Sequence, residues 1–569
     1  MQWTRAFSMD KLPVGGAKLF KQGREQVAVF RPSDAEIFAV DNRCPHEGYP
    51  LIQGSRDGCT LTCCWHNYKF DLRTGSCLKG DEAVRTYPVR IAEGSVELDL
   101  TPPDPTAAIP AYWASLAEGL HAYRVGQSVR DVVRLLSAGV TPEAVAAFLA
   151  GWDGARSEYG ASHALAVAHD VLAWLPRYPG PRFAIPLAQL IDLTARGTVR
   201  RPERPVAEAV DPGDDPVAAG VAFQAAVESE DGLLAEGILL GALARGWRRA
   251  ELEHWFFALC ADHFLSFGHR LIYQTKAFDL LDAADWQHAS PILRGHLAGI
   301  VNGTREDVLP AWAGFRKRLA DLDLPALYAT PTDENWHGEA AVTEALLTGT
   351  VAESFTEVVD ALSAGAPLPR LVDAISLAAA ERMLRFDVTI DADPGNQDNW
   401  LSVTHIQTFA SALRHTLSRF ERPEVLRLVL FAARFVHHHR VLDGTPEVYV
   451  PAPTPDAAAT LAAIGAGDIA GALSQTAAVF TDTEQTAALK DALMDVAISD
   501  RFSTPIVSAH AMKNLLVAFE ESAATCDPRP MLAVVRLLTS PLQQRWTHRG
   551  ALEAVAFVTE GKIPKLLAP

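Results

Sequence analysis

The pattern of apolar and polar positions changes once along the chain. In residues 1–103, short β-branched runs are separated by turn residues, and the segment "GSVELDL" alternates apolar and charged positions as a strand does. From Ala111 onward, alanine, leucine and arginine dominate at helical spacing, and strand-like alternation nearly vanishes. The pattern predicts a small all-β domain followed by a large all-α domain.

A proline-rich segment separates the two patterns. Residues 101–110 read "TPPDPTAAIP", and proline donates no backbone hydrogen bond to a helix or a sheet. A chain of 569 residues is also too long to form a single core. We expect a β domain over residues 1–103, a linker over 104–110 and a helical domain over 111–569.

The helical region resembles itself at four places. In each, a glycine after an apolar turn precedes one helix and a histidine opens the next. The pairs are Gly139 and His163, Gly246 and His269, Gly365 and His405, and Gly467 and His510. This indicates a domain built from repeated helical pairs, unless the likeness only reflects the alanine-rich composition of the helices.

Charge and hydropathy exclude several classes of partner. The formal net charge is −18, which argues against a nucleic-acid partner. No segment holds the eighteen or so uncharged apolar residues that a membrane span needs, and the N-terminus lacks a secretory signal pattern. We expect a cytoplasmic protein that binds neither membrane nor nucleic acid.

The cysteines point to the first candidate site. Five of the seven fall between Cys44 and Cys77. Cys44-Pro45-His46 and Cys63-Cys64-Trp65-His66 each supply one cysteine and one histidine. A Rieske [2Fe–2S] centre needs that ligand set, because thiolates hold one iron and imidazoles hold the other. A structural zinc site is the alternative, but zinc fingers usually pair cysteine with cysteine and histidine with histidine.

Residues 1–103 resemble the Rieske ferredoxin family. The segments "CPHEGYPL" and "CCWHNYKFDLRTGSC" are similar to its two cluster-binding loops. The resemblance implies that Cys44 and Cys63 bind the buried iron, while His46 and His66 bind the iron nearer the surface. The extra disulfide of the respiratory members is absent, which implies the ferredoxin and oxygenase branch.

A one-electron carrier fused to a long helical region implies that this region consumes or supplies electrons. Four histidines, each opening the second helix of a proposed unit, would converge if the units pack around one pseudo-symmetric axis. They are His163, His269, His405 and His510. Four imidazoles at one point form a transition-metal site, and we predict non-haem iron there.

Three further side chains are candidates at this second metal. Lys513 lies one helical turn after His510 and would bind metal if it were deprotonated or converted by carbon dioxide to a carbamate. Such a His-x-x-Lys pair would imitate the Glu-x-x-His pairs of di-iron bundles. Lys276, two turns after His269, is a second candidate, and the alternative for either lysine is a solvated surface position. Tyr273, one turn after His269, is a candidate catalytic proton donor or a core residue.

The helical region resembles the questin-oxidase-like family. The histidine-led segments "SHALAVAH", "FGHRLIYQTKAFDLL", "VTHIQTFASAL" and "SAHAMKNLL" bear the similarity, which spans about residues 110–569. The resemblance implies a histidine-rich non-haem iron that oxidises and opens polycyclic aromatic polyketides.

These features predict an oxygenase in which the cluster passes electrons to iron, and O₂ oxidises or cleaves an apolar, aromatic compound. No G-x-G-x-x-G segment follows a strand, so a separate NAD(P)H-dependent reductase or a ferredoxin would donate the electrons. A conventional Rieske oxygenase α subunit is one alternative, disfavoured because its iron lies in a sheet domain. A non-catalytic electron-transfer protein with a helical docking scaffold is the other.

Overall fold

The β-then-α order is confirmed by the structure, a computed structural model. It describes residues 3–80, 82–102, 104, 106–392, 398–499, 501 and 504–541. All strands of the described residues lie before residue 100, and the α-helices begin at Ile109. None of the helices in these described ranges is long and apolar enough to cross a membrane.

Eleven strands form three antiparallel sheets in the described part of the N-terminal region. Their orders are β1-β11-β10, β2-β3-β4-β9 and β5-β6-β7-β8. The strands are β1 (Trp3–Ser8), β2 (Ala17–Gln22), β3 (Glu25–Phe30), β4 (Phe38–Asp41), β5 (Ser55–Asp57), β6 (Thr60–Thr62), β7 (Lys69–Asp71), β8 (Cys77–Lys79), β9 (Thr86–Tyr87), β10 (Val89–Ala92) and β11 (Ser95–Asp99).

After the sheets, the described residues form α-helices joined by short 3₁₀ turns and loops. The helices are α1 (Ile109–His121), α2 (Val125–Ser137), α3 (Pro142–Arg156), α4 (His163–Asp170), α5 (Ala184–Thr198), α6 (Pro216–Glu228), α7 (Gly232–Ala244), α8 (Arg249–Asp262), α9 (His269–Ala283), α10 (Ala289–Val301), α11 (Ala313–Ala320), α12 (Leu324–Tyr328), α13 (Glu339–Thr348), α14 (Val351–Ser363), α15 (Leu368–Arg385), α16 (Val388–Ala392), α17 (Trp400–Leu417), α18 (Val425–His438), α19 (Ala457–Ala466), α20 (Ile469–Val479), α21 (Thr483–Ile498), α22 (Pro505–Thr525) and α23 (Arg529–Thr539).

The chain divides into two compact units. The first comprises Met1–Glu118 and Gly126–Gly139, and the second comprises Gly119–Val125 and Val140–Pro569. The first unit thus includes most of α1 and nearly all of α2 besides the sheets. The buried Glu82 carboxylate accepts hydrogen bonds from Arg130 Nε (3.1 Å) and Arg134 Nη2 (2.6 Å), which fastens α2 to the β region.

Two apolar clusters form the core of the β region. One contains Leu12, Val27 and Val96, and lies between the first two sheets. The other contains Cys44 and Cys63 together with Leu51, Leu61 and Phe70. Because both cysteines belong to this core, their thiols are shielded from water while the loops that bear them remain at its edge.

Four helices of the second unit pack in a closed ring. Helix α4 packs on α9, α9 on α17, α17 on α22, and α22 on α4. Each contributes one histidine of the predicted set. The arrangement resembles a four-helix bundle, in which side chains from facing helices meet at the core.

The predicted position of the histidines at helix starts is right for two of them and wrong for the other two. His163 and His269 are the first residues of α4 and α9. His405 and His510 lie more than one turn inside α17 and α22. Asn399 caps α17 through the Leu401 N–H (2.8 Å), and Pro505 occupies the first turn of α22, so both helices begin earlier than the spacing indicates.

Candidate metal centres

The two predicted cluster loops have the same backbone structure. The N–H of Cys44 donates to the carbonyl of Tyr49 (2.9 Å), and the N–H of Cys63 donates to the carbonyl of Tyr68 (2.8 Å). In each loop the residue four places after the cysteine has a positive φ, 77° at Gly48 and 60° at Asn67. The motif therefore encodes a pair of matching turns, each of which presents one cysteine and one histidine.

The four predicted cluster ligands lie together, with the thiols inside and the imidazoles outside. Cys44 and Cys63 are 3% and 1% exposed. His46 Nδ1 and His66 Nδ1 are 3.1 Å apart, and their rings meet edge to face. Burial is the main reason that the pKa of Cys44 rises to about 11, so the unliganded thiol keeps its proton. The ligand types and their exposure fit a [2Fe–2S] cluster with one buried and one outer iron.

An exposed aromatic side chain lies directly beside the outer pair. Trp65 is 60% exposed, and its ring is 5.4 Å from that of His66. It stacks on Tyr49 at 5.9 Å, while His46 stacks on Tyr68 at 4.6 Å. The two imidazoles therefore lie at the surface of the loops, flanked by aromatic side chains.

The four helical histidines form a closed ring of imidazoles. Neighbouring ring centroids are 4.8 Å apart for His163 and His269, 4.3 Å for His269 and His405, 4.7 Å for His405 and His510, and 4.7 Å for His510 and His163. The Nε2 atoms of His163 and His269 are 3.1 Å apart, and those of His405 and His510 are 3.0 Å apart. Ligand atoms of His163, His405 and His510 all lie within 4.8 Å of one another, close enough to share one ion.

Backbone carbonyls fix the orientation of three of these rings. His269 Nδ1 pairs with the carbonyl of Ser266, His405 Nδ1 with that of Leu401, and His510 Nδ1 with that of Ile506. A carbonyl only accepts, so each Nδ1 bears the proton and, in the neutral ring, each Nε2 has a bare lone pair. Metal-binding histidines usually have this second hydrogen bond.

The geometry of His405 and His510 fits a cation between them. Their two Nε2 atoms face each other at 3.0 Å, yet neither has a proton to share while both Nδ1 atoms donate to carbonyls. Burial and the nearby Lys513 lower the pKa of His510 well below its usual value, so protonation is disfavoured. A transition-metal ion would satisfy both lone pairs, and neutral imidazole is the form that binds one.

The other two imidazoles are also held neutral. Burial is the first cause and the Lys513 charge the second for the lowered pKa of His163 and of His269, the latter to about 3. His163 and His269 are partly exposed, whereas His405 and His510 are only 6% and 1% exposed. The site is therefore more accessible on the α4 and α9 side than on the α17 and α22 side.

Lys513 is buried beside the ring of histidines. It is 2% exposed, and its Nζ has no hydrogen-bond partner among the described residues. Burial lowers its pKa to about 7, and the neighbouring Lys276 adds to that effect. A large share of Lys513 is therefore neutral near pH 7, the form that could bind a metal or react with carbon dioxide.

Lys276, the second candidate lysine, is engaged elsewhere. Its Nζ pairs with Asp170 at 2.8 Å, and the side chains of Lys276 and Asp170 are 14% and 2% exposed. Burial alone would lower the pKa of Lys276, but Asp170 and Glu520 outweigh it and leave the pKa raised. Lys276 and Asp170 line a small cavity with Lys513, Ser411 and His415. Lys276 thus remains a charged partner of Asp170.

Tyr273 contacts two of the histidines. Its ring centroid is 5.3 Å from that of His269 and 5.9 Å from that of His163. Burial raises the pKa of its hydroxyl, which therefore stays protonated. The position suits a proton donor, and its catalytic role stays a prediction.

Sequence reasoning missed two buried carboxyl groups near these histidines, Asp153 and Glu306. Asp153 accepts from the N–H (2.8 Å) and hydroxyl (2.7 Å) of Ser162, which precedes His163. Glu306 accepts from the N–H of Phe267 (3.0 Å), two residues before His269. Their signal in the sequence is weak, because an acidic residue in an Asp-Gly or Glu-Asp pair usually indicates a surface turn.

Comparison with known proteins supports the first centre. The family model of the Rieske-like [2Fe-2S] domain matches residues 2–99. The ferredoxin subunit of 3-phenylpropionate/cinnamic acid dioxygenase from Photorhabdus laumondii is 34% identical over 97 residues, which are 16% of this chain and 90% of that protein. The ferredoxin subunit of biphenyl dioxygenase from a Pseudomonas species is 34% identical over 104 residues, 18% of this chain and 94% of that protein.

A solved structure of a ferredoxin is also similar to part of this chain. The ferredoxin of Sphingomonas yanoikuyae B1 is 30% identical and covers 17% of this chain and 98% of its own, with a TM-score of 0.16. The resemblance of the helical region to the questin-oxidase-like family stays a prediction. Through residues 2–99, this chain belongs to the family of proteins with a Rieske-like [2Fe-2S] domain.

Proposed function

We propose that this chain is an oxygenase in which a Rieske cluster supplies electrons to a non-haem iron bound by His163, His269, His405 and His510. Its substrate is a small apolar organic compound of aromatic, polyketide-like type. When bound, the iron would supply the activation of O₂ that oxidises or cleaves this compound.

One observation supports the proposal above the others. The Nε2 atoms of His405 and His510 face each other at 3.0 Å with their Nδ1 protons donated elsewhere, and those of His163 and His269 are 3.1 Å apart. The bare lone pairs of His405 and His510 repel each other at this distance unless a cation lies between them. At the other pair, His163 Nε2 can donate a proton to His269 Nε2, or both atoms can bind the same ion. Iron is favoured among transition metals because the same chain has a one-electron carrier.

The chain's own residues would have distinct parts at this centre. The four imidazoles would bind the iron. The carbonyl groups of Ser266, Leu401 and Ile506 orient three of them. Tyr273 holds a proton within reach of the His163 and His269 side. The apolar walls of α4, α9, α17 and α22 exclude water from the reacting centre.

Lys513 is proposed as a further ligand, either as the neutral amine or as a carbamate. The carbamate forms when the neutral amine attacks carbon dioxide, making an N–C bond and releasing one proton. The pKa of about 7 and the unpartnered, buried Nζ support both forms. A carbamate would give the ion an anionic oxygen ligand among four neutral nitrogens.

The electrons are proposed to come from a separate NAD(P)H-dependent reductase or a ferredoxin. Two relatives of residues 2–99 are ferredoxin subunits of aromatic dioxygenases, and this supports an oxygenase system as the setting. The exposed ring of Trp65 beside His66 offers that donor an aromatic surface at the outer iron of the cluster.

The test is the iron content of the purified protein and of its His269→Ala variant, with Rieske absorbance measured on the same samples. The expected ratio is three irons per chain in the wild type and two in the variant, both with a full cluster. Two irons per chain in the wild type after reconstitution with Fe²⁺ would contradict the proposal and favour a docking module for electron transfer.

A further inference from the structure

The loop before His269 has an unusual backbone. Ser266, Phe267 and Gly268 have φ values of 49°, 55° and 75°, so three successive residues adopt the left-handed region. Two of the three are not glycine, and such a conformation costs free energy for each of them. It persists only where the surrounding structure holds it in place.

The loop conformation fixes His269 directly. It turns the carbonyl of Ser266 toward His269 Nδ1, which donates to it. At Gly268 a side chain would collide with the ring of Phe409, so the loop lies tightly against α17. The orientation of the His269 ring therefore depends on a loop in which two non-glycine residues, Ser266 and Phe267, adopt an unfavourable backbone conformation.

A buried carboxyl group holds the loop from behind. Glu306 is 3% exposed, and its Oε1 accepts from the N–H of Phe267 at 3.0 Å, the middle residue of the three. Its other oxygen has no hydrogen-bond partner among the described residues. Burial is the main cause that raises the pKa of Glu306 to about 8, so the group is mostly a neutral acid near pH 7.

The loop before His163 is held in a related way. Asp153 binds the backbone and hydroxyl of Ser162, and Arg270 donates to the carbonyl of Ala161 (3.2 Å). Since Arg270 directly follows His269, it ties the second loop to the first. By contrast, His405 and His510 lie inside helices and pair with carbonyls of their own helical turns.

We infer that Glu306 is a positioning residue for His269, which it orients by stabilising the left-handed Ser266–Gly268 loop. The inference rests on the proposed function, because it concerns how one proposed ligand is aimed at the shared ion. Glu306 itself touches neither the ion site nor His269. Its part is to keep the Ser266 carbonyl, and with it the imidazole, in one orientation.

Three substitutions at Glu306 separate this role from simple filling of space. Glu306→Gln keeps an oxygen acceptor of the same reach and mimics the neutral acid. Glu306→Asp keeps the carboxyl group but withdraws it from the Phe267 N–H, and Glu306→Ala removes it. Asp443→Asn is the matched control, because Asp443 is a largely buried carboxylate whose partner is Arg382.

The first readout is Fe²⁺ affinity, measured by chelator competition, together with the EPR signal of the iron–nitrosyl complex in protein with an oxidised cluster. Loss of a group that orients a metal ligand typically lowers affinity about 10- to 100-fold. We expect that loss and an altered EPR line shape for the alanine and aspartate variants, with Glu306→Gln and the control close to wild type. Wild-type affinity and line shape in both the alanine and aspartate variants would overturn the inference.

The second readout needs no iron. Hydrogen–deuterium exchange of the peptide that covers the Ser266–Gly268 loop, in metal-free protein, is expected to be about tenfold faster in the aspartate and alanine variants and unchanged in Glu306→Gln. Equal exchange in all variants would overturn the inference. A wild type that binds no iron beyond the two of the cluster would refute the proposed function. The exchange pattern would still decide whether Glu306 holds the loop. If Glu306→Ala does not fold, the aspartate variant decides.

Discussion

The two candidate centres of this protein are built in opposite ways. The cluster site takes all its ligands from one short stretch, Cys44 to His66, in two loops with matching hydrogen bonds. The histidine site takes one ligand from each of four helices, α4, α9, α17 and α22, which are far apart in the chain. The first site depends on local turns, whereas the second depends on the packing of a whole helical unit.

This difference determines how each site is stabilised. In the cluster loops, positive φ angles at Gly48 and Asn67 close the turns, and the core residues around Cys44 and Cys63 exclude water. In the helical unit, His405 and His510 lie inside helices and donate to carbonyls of their own helical turns. His163 and His269 begin their helices, and the loops before them are hydrogen-bonded to the buried carboxyl groups of Asp153 and Glu306. We therefore expect that loss of metal from one site leaves the other site intact.

The largest expected effect is loss of the cluster while the helical iron is retained. Cys63→Ser replaces a predicted thiolate ligand of the buried iron, and we expect complete loss of the Rieske absorbance and EPR signal. Iron content should fall from about three to about one per chain, because the histidine site needs no residue of the cluster loops. Loss of all iron would show instead that the second site depends on the first.

The next largest expected effect is loss of the helical iron while the cluster is retained. His405→Ala removes a buried imidazole that we propose as an iron ligand, and we expect iron to fall from about three to about two per chain with an unchanged cluster spectrum. His296→Ala is the control, because His296 is also fully buried and its ring nitrogens have no partner among the described residues. Iron loss of equal size in both variants would mean that packing, and not ligation, governs the metal content.

How much of this was predictable differs between the sites for a physical reason. The cluster ligands follow from a contiguous motif, and the structure brings Cys44, His46, Cys63 and His66 together as expected. The four helical histidines follow from a repeated order of glycine, helix and histidine along the chain, although their metal role is still a prediction. Glu306 could not be predicted, because its contact with Phe267 joins residues distant in the chain through a loop whose conformation no local pattern reveals.

The two lysines of the helical unit should affect stability in opposite directions, because Lys276 pairs with Asp170 and Lys513 has no hydrogen-bond partner among the described residues. Lys276→Met leaves the buried Asp170 with only a long contact to His169 Nδ1 (3.4 Å), which should lower the free energy of unfolding by about 3–5 kcal/mol. Lys513→Met removes an unpartnered amine and should raise it by about 1–3 kcal/mol while lowering Fe²⁺ affinity. Denaturant unfolding of metal-free protein and chelator competition measure the two effects. Unchanged affinity in Lys513→Met would exclude this lysine as a ligand.

The last expected effect is a pH dependence from Glu306. The pKa of this group is raised from 4.5 to about 8, so between these values the folded state retains a proton that the unfolded state loses. The free energy of unfolding therefore falls as pH rises through this window, by about 1.4 kcal/mol per pH unit at most. Glu306→Gln should remove this contribution, which thermal unfolding of metal-free protein at pH 5 and pH 8 would detect as a shallower decline. An identical decline in both proteins would contradict the assignment.

The central claim is that four helices hold one iron through His163, His269, His405 and His510. Anomalous diffraction at the iron absorption edge, on crystals of iron-replete protein, tests it most directly. The account predicts an iron pair between the two cluster loops and a separate single peak within bonding distance of the helical Nε2 atoms. Crystals that show the cluster pair but no peak among these imidazoles would contradict it.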